Sequence, residues 1–256
     1  MKRKAQMQET TSTMIVGAII FVVLLVASTT MNAAIKGGFG RESCKVSISK
    51  VQILKSATLE TIKSSIDCPM GYVDIKQSDL PSSNPSNYVK KKFADAMYST
   101  WYVSEKGENV RFSETEKGGQ VNCLLYAKVS FKDIKDPEKL DLSGMKEWFS
   151  SNYPSNSETS YFSYLSFNNQ QAYHIIDASD PNNPKETYSL DPRKNYYVVY
   201  WASMTNSKIL SLLEQHIPIL AEVVTNANAL GGAGIPEVFV VPENEFKSIG
   251  CEALLN

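Results

Sequence analysis

The sequence predicts an α+β protein, with an N-terminal transmembrane helix followed by an extracytoplasmic domain that has a mainly antiparallel sheet and flanking helices. Three observations lead to this prediction. No charged residue occurs between Thr10 and Ile35. Short runs rich in aromatic and β-branched residues, the composition typical of strands, recur after residue 120. Longer stretches with apolar residues at helical spacing lie among these runs.

The uncharged segment at residues 14–35 is predicted to cross the membrane. A bilayer core is roughly 30 Å thick, so a helix needs about 20 apolar residues to span it. Two alternatives stay open: a cleaved signal peptide, for which Lys2, Arg3 and Lys4 provide the basic start, and a buried core helix. The basic residues before the span and the whole domain after it place the N-terminus in the cytoplasm and the C-terminal domain outside the cell membrane.

The chain is therefore divided into four parts. We predict a basic cytoplasmic tail at 1–13, the transmembrane helix at 14–35, a flexible joint at 36–43 and an extracytoplasmic α+β domain at 44–256. Glycines 37, 38 and 40 predict the joint. A second boundary near 136–143 would split the domain in two.

Four cysteines, none of them in a C-x-x-C motif, predict two disulfides if the domain lies in an oxidising compartment. Three connectivities are possible. We favour Cys44–Cys68 with Cys123–Cys251, which pairs neighbours along the chain, and four reduced thiols in a cytoplasmic domain are the alternative. Bridged Cα atoms lie within about 7 Å, so the chain between Cys44 and Cys68 must turn back, and we predict a strand followed by a second short element.

Three helices are predicted from their apolar spacing, their caps or their ends. Val89, Phe93, Met97 and Trp101 recur every four residues, which predicts an amphipathic helix capped by Asn87 and ending before residue 107. A long helix is predicted over 206–230, bent at a proline at 218 and ended by glycines. A short helix ending at 149 would be capped by Ser143.

The remaining elements are strands. In the strand predicted over 121–131, alternation places Cys123, Leu125, Ala127 and Val129 on one face. The other predicted strands are 109–113, 161–167, 172–176, 186–190, 196–204 and 238–241, with a wide hairpin turn at 177–184.

Composition argues against nucleic acid as a partner. The chain has 26 basic and 27 acidic residues, whereas nucleic-acid binding needs clustered positive charge. The one strong basic run, at 90–92, is predicted to be the solvated face of a helix. Glycine-rich nucleotide motifs are absent from the sequence, and no cofactor is predicted.

Two weak catalytic candidates are a serine–lysine pair and a histidine. Ser143 and Lys146, three residues apart at a helix start, resemble the nucleophile and base of serine acyl-transferases such as penicillin-binding proteins. Their companion motifs are absent, so capping and surface roles are favoured. The two histidines, His174 and His216, lie outside any recognised catalytic or metal motif.

The spacing of one loop with acidic and amide side chains argues against a calcium-binding site there. Asp177, Asp180, Asn182 and Asn183 offer hard oxygen ligands, but Pro181 interrupts the spacing of a calcium-binding loop. We therefore predict a solvated turn and no metal site.

The N-terminus resembles known membrane sequences. Residues 4–9, K-A-Q-M-Q-E, resemble the entry of archaeal type IV pilin-like (class III) signal peptides, with Ala5 in place of the usual Gly. That resemblance implies processing before the apolar helix, which then serves as an assembly spine. The short basic tail, single span, Glu-Ser-Cys and later Cys-Pro resemble single-pass membrane proteins of small-genome archaea, a family with no assigned activity.

These observations predict a single-pass, membrane-anchored, non-enzymatic protein that functions in partner binding or surface assembly. Its expected partners are the lipid bilayer and an unknown protein partner or further copies of itself. The alternative is a membrane-tethered hydrolase or transferase that uses Ser143 with Lys146, or a site near His174.

Overall fold

A computed structural model describes residues 40–57, 68–104, 106, 121–167, 170–177, 185–203, 235–249 and 253–255. The chain divides into two compact units, Met1–Glu42 and Ser43–Asn256, and nearly all described residues belong to the second. Among the described residues, none of the helices combines the length and apolar character needed to cross a bilayer. The predicted span at 14–35, strand at 109–113 and long helix at 206–230 lie outside the described residues.

The centre of the fold is a seven-stranded sheet. Nine strands are described in chain order: β1 (Gly71–Lys76), β2 (Val121–Lys132), β3 (Ser166–Phe167), β4 (Gln170–Gln171), β5 (Tyr173–Asp177), β6 (Lys185–Glu186), β7 (Tyr196–Ser203), β8 (Ile235–Pro242) and β9 (Ala253–Leu255). The sheet order is β1-β2-β7-β8-β5-β6, with β9 also paired to β2, while β3 and β4 form a separate hairpin.

The sheet is mixed, so the prediction of a mainly antiparallel sheet is wrong. β1 and β9 run parallel to β2, and β5 runs parallel to β8, whereas β7 is antiparallel to both β2 and β8. Five strands therefore point one way, and β6 and β7 point the other. The alternation of residues along a strand records which face is buried, but it carries no information about the direction of the neighbouring strand.

Four α-helices are described: α1 (Gly40–Ala57), α2 (Pro85–Val103), α3 (Met145–Ser151) and α4 (Tyr161–Tyr164). Short 3₁₀ helices span Gln77–Asp79, Pro137–Lys139 and Glu243–Ile249. α1 replaces both the end of the predicted joint and the strand predicted after Cys44. Cys44 and Ile48, four residues apart, are buried while Val46 is 64% exposed, which is the pattern of a helix and not of a strand.

Helix α2 confirms the predicted four-residue stripe, since Val89, Phe93, Met97 and Trp101 are all fully buried. Its cap differs from the prediction. The N-cap is Asn84, whose side chain accepts a hydrogen bond from the backbone N–H of Asn87 at 3.1 Å. Pro85 at the first helical position starts the helix three residues earlier than expected, because proline suits that position.

Three further elements differ from the sequence predictions. Helix α3 begins after Gly144, so Ser143 is not its cap. The strand predicted over 161–167 is helix α4 followed by the two residues of β3. Of the strand predicted over 186–190, only Glu186 lies in a strand, and the rest forms a loop. The β5–β6 pairing confirms a hairpin there, although its loop at 178–184 lies outside the described residues.

The main core lies between one face of the sheet and helix α2, which packs on β2, β7 and β8. A bulge in β2 between Leu125 and Ala127 changes which residues of this strand face the main core. Ala127 and Val129 join this core, whereas Cys123 and Leu125 are buried outside it, so the prediction of one shared face is wrong. An extra residue in one strand moves the residues on either side of it to opposite faces.

The predicted Cys44–Cys68 disulfide is present, with Cα atoms 4.5 Å apart. It joins helix α1 to the chain just before β1, and both cysteines are almost fully buried. Cys123 is also disulfide-bonded. The second predicted pairing involves Cys251, which lies outside the described residues.

Candidate functional site

A cleft of about 440 Å³ opens where β5 and β8 end and β7 begins. Apolar side chains from the loop that connects β6 to β7, and from the segments that pack on either side of that loop, line the cleft. Charged side chains form the rim of the cleft. The apolar lining includes Leu140, Ile176, Leu190, Tyr196 and Pro242, and the charged lining includes Glu138, Asp191, Arg193 and Lys194.

The loop between β6 and β7 is held by backbone hydrogen bonds, so the cleft is built into the fold. The backbone N–H of Met145 donates to the carbonyl of Tyr188 at 3.0 Å, and that of Leu190 donates to Leu142 at 3.3 Å. The backbone N–H of Asp191 donates to the Tyr196 hydroxyl at 2.7 Å. These bonds attach the loop to the segment before α3 and to the start of β7.

Three of the four charged side chains at the rim are paired within the fold. Arg193 donates to both carboxylate oxygens of Asp191, at 2.8 and 2.9 Å, and these hydrogen bonds hold the pKa of Asp191 below its usual value. Lys194 donates to Glu245 at 3.0 Å. A carboxylate bound on both oxygens by a guanidinium has little capacity to act as a base, so the rim suits binding better than proton transfer.

A second polar feature lies inside the molecule, around His174. Its Nδ1 lies 3.1 Å from Glu186 Oε1, and its Nε2 lies 3.4 Å from Glu237 Oε1. The His174 ring also stacks on Phe239, with 5.3 Å between the ring centroids. The side chains of His174 and Glu237 are 5% and 0% exposed and so are closed to solvent, whereas the Glu186 side chain is 17% exposed.

The cluster is held by charge. Burial by itself lowers the pKa of His174, but the nearby Glu237 and Glu186 carboxylates outweigh it and raise that pKa to about 10. Among the described residues, neither Glu237 oxygen meets the geometry of a hydrogen bond, and its contact with His174 is an ion pair at 3.4 Å. Glu186 also accepts from the Tyr188 hydroxyl at 3.0 Å and from Gln171 at 3.1 Å.

Burial raises the pKa of Glu186, but the hydrogen bond and charge of His174 outweigh this and lower it overall. The result is a cation between two carboxylates, of which Glu186 is hydrogen-bonded through Oε1. Because His174 is almost inaccessible, the cluster is not placed to meet a substrate.

The predicted serine–lysine pair is not assembled as a nucleophile and base. The Ser143 hydroxyl donates to Asp141 Oδ1 at 2.5 Å. The Lys146 ammonium lies over the Tyr188 ring, 5.2 Å from its centroid. Among the described contacts, none joins Ser143 to Lys146.

The other candidate residues lie elsewhere or beyond the described chain. Asp177 is the last residue of β5 and lies opposite Lys185 in the antiparallel pairing of β5 with β6. His216, Asp180, Asn182 and Asn183 lie outside the described residues. Within the described ranges, no group of three or more histidine, cysteine or acidic side chains is arranged to hold a metal ion.

Each lysine of the basic run at 90–92 has a contact within the fold. Lys90 donates to the Ser143 carbonyl at 2.5 Å, Lys91 pairs with Asp95 at 2.7 Å, and Lys92 lies over the Tyr88 ring. The run is therefore part of the surface of helix α2, as predicted.

Glu186 and Glu237 were not predicted as partners of His174. A signal for Glu237 was present, because it is a charged residue directly before the apolar run at 238–241. A single acidic residue at the start of a buried strand requires a partner. No local signal identifies which residue that partner is.

Comparisons with known proteins supply no relative. No family model matches the chain, and neither the curated proteins nor the solved structures include a significant match.

Proposed function

We propose that this chain is a membrane-tethered, extracytoplasmic, non-enzymatic protein that binds a segment of a partner protein in the cleft beside the β6–β7 loop. The observation that carries the proposal is the buried Cys44–Cys68 disulfide. Disulfides form and persist in oxidising compartments and are rare in the cytoplasm. The uncharged segment at 14–35 supports the membrane tether.

The cleft supports the binding role. Its volume lies within the range of about 300–1,000 Å³ that is typical of binding pockets. The apolar lining of the cleft suits an aliphatic or aromatic side chain, and the rim carries both positive and negative charges. A peptide segment with an apolar anchor and mixed flanking charges fits this lining, whereas a polyanion would meet Glu138 and Asp191.

The location is tested by labelling the full-length chain in intact cells with a membrane-impermeant maleimide. Tyr153 is 53% exposed, so a Tyr153→Cys variant presents a reactive thiol at the domain surface. Ala94 is fully buried, so Ala94→Cys is the matched control and is expected to react only after denaturation. Labelling of Tyr153→Cys in intact cells supports the proposal, and labelling only after lysis overturns it.

The binding site is tested by placing a photo-crosslinking amino acid at Ser189, in the cleft lining. A discrete adduct is expected in intact cells. The adduct is expected to disappear when Thr187→Trp fills the cleft and to persist with Ser82→Trp, at an exposed position away from it. An adduct that is indifferent to Thr187→Trp would rule out the cleft.

A further inference from the structure

Strand β1 lies at one edge of the described sheet, where β9 also pairs with β2, and β6 lies at the other edge. β6 is two residues long, and a very short edge strand is a common protection against pairing with another chain. β1 is six residues long, and four of its residues are exposed, including Tyr72 at 70%. In the described structure, its backbone pairs only with β2, on one side.

The backbone of β1 indicates which residues point outward. The N–H of Lys76 donates to Asp79 Oδ2 at 3.2 Å, which directs it toward the side of β1 that faces away from β2. Successive residues of a strand direct their N–H and C=O groups to opposite edges, so Tyr72 and Asp74 direct theirs away from β2, as Lys76 does. The outer edge thus offers two donors and two acceptors.

We propose that β1 pairs antiparallel with β1 of a second copy of this chain, in a register centred on Val73. In this register Tyr72 of one copy lies opposite Asp74 of the other, twice by symmetry. All four outward groups on each chain are then used, and the two sheets become one continuous sheet.

Other symmetric registers are less favourable. A register centred on Asp74 places two carboxylates directly opposite each other. A register centred on Ile75 requires the N–H of Lys76, which already donates to Asp79. Of these three registers, the Val73-centred pairing uses the outward residues without either cost.

The two edges of the sheet favour a closed dimer over a head-to-tail array of many copies. A head-to-tail array would need two compatible long edges, and the opposite end of the described sheet is the two-residue β6. An edge that pairs with its own copy makes an isologous contact, which closes as a dimer.

The register is tested by cysteine crosslinking of the purified full-length chain. In a Val73-centred pair, two copies of residue 73 face each other with Cα atoms about 4.5 Å apart, which suits a disulfide. Val73→Cys is therefore expected to form a covalent dimer under mild oxidation. Tyr72→Cys is the matched control: its thiols lie on the diagonal, about 7–8 Å apart, and are expected not to bridge. No crosslink at 73, or an equal crosslink at 72, overturns the proposal.

A charge test follows from the same register. Tyr72→Asp faces Asp74 of the other copy and is expected to raise the dimer Kd about tenfold, since two like-charge pairs are created. Tyr72→Lys faces the same carboxylate and is expected to preserve or tighten the dimer. Within one copy the preference is reversed, because residue 72 pairs in register with Lys128.

Sedimentation of both variants over a range of concentrations separates these effects. A dimer that is equally stable in Tyr72→Asp and Tyr72→Lys, or a monomer at every concentration, overturns the proposal. The labelling of Tyr153→Cys is unaffected by either result, so failure of the dimer leaves the proposed location and cleft standing.

Discussion

Because of the buried charge cluster around His174, we predict that the unfolding free energy of the protein depends on pH. Replacing His174 with Gln removes the cation and leaves Glu186 and Glu237 facing one another in the interior. Breaking a buried ion pair by removing one partner costs about 3–5 kcal/mol of unfolding free energy. A rise in the pKa of His174 from 6.5 to about 10 corresponds to about 5 kcal/mol at about 1.36 kcal/mol per pKa unit, which is a similar size.

The sign follows from the direction of the pKa change. The folded-state pKa of His174 is above the unfolded value, so the folded protein binds the proton more tightly. This contribution to stability is fully present below about pH 6.5 and is lost as the pH rises to about 10. Urea unfolding of the purified full-length chain and of His174→Gln, at pH values from 6 to 10.5, measures it.

The stability difference between the two proteins is expected to be greatest near pH 6 and to shrink as the pH approaches 10. The variant Glu237→Gln keeps His174 beside Glu186 but removes the carboxylate whose charge does most to raise the pKa of His174, so we expect this stability to be lost at a lower pH than in wild type. A difference between wild type and His174→Gln that stays constant over this pH range would refute the reasoning.

Three further predictions concern single features of the fold. Replacing both Cys44 and Cys68 with Ala is expected to lower the unfolding free energy by about 3.5 kcal/mol, from a loop separation of 24 residues; equal urea midpoints for the oxidised wild type and this variant would contradict it. Gly144→Ala is expected to cost about 1–2 kcal/mol because Gly144 has a φ of 64°, whereas Gly144→Asn is expected to cost less, as thermal unfolding of both would show. A serine-reactive activity probe is expected to leave Ser143 unlabelled, because its hydroxyl donates to Asp141 and is not paired with Lys146; a mass-mapped adduct at Ser143 would support the enzymatic alternative.

Several features were predictable because the signal is local. The stripe of helix α2 repeats every four residues, and one turn of helix brings such residues to the same face. The β2 strand was located for the corresponding reason, since β-branched and apolar residues recur along it. Helix α1 was not predicted, because Val46 and Ile48 also fit the alternation of a strand. Only the burial of these residues distinguishes a helix from a strand here.

The candidate site was predicted only in part. His174 was identified as one of two histidines, but its partners could not be named. Glu186 reaches it through the β5–β6 hairpin, and Glu237 reaches it through the parallel pairing of β5 with β8. The cleft likewise forms from segments near 138, 176, 190 and 242, which no spacing rule connects.

The sequence by itself determined the position of helix α2, the existence of the β2 strand and the uncharged segment at 14–35, because each depends on the order of neighbouring residues. Only the tertiary structure decided the directions of the strands, the face change at the β2 bulge and the meeting of His174 with two glutamates. These features depend on which distant segments pair, and a pairing between strands is determined by the free energy of the whole sheet and core rather than by any single stretch of sequence.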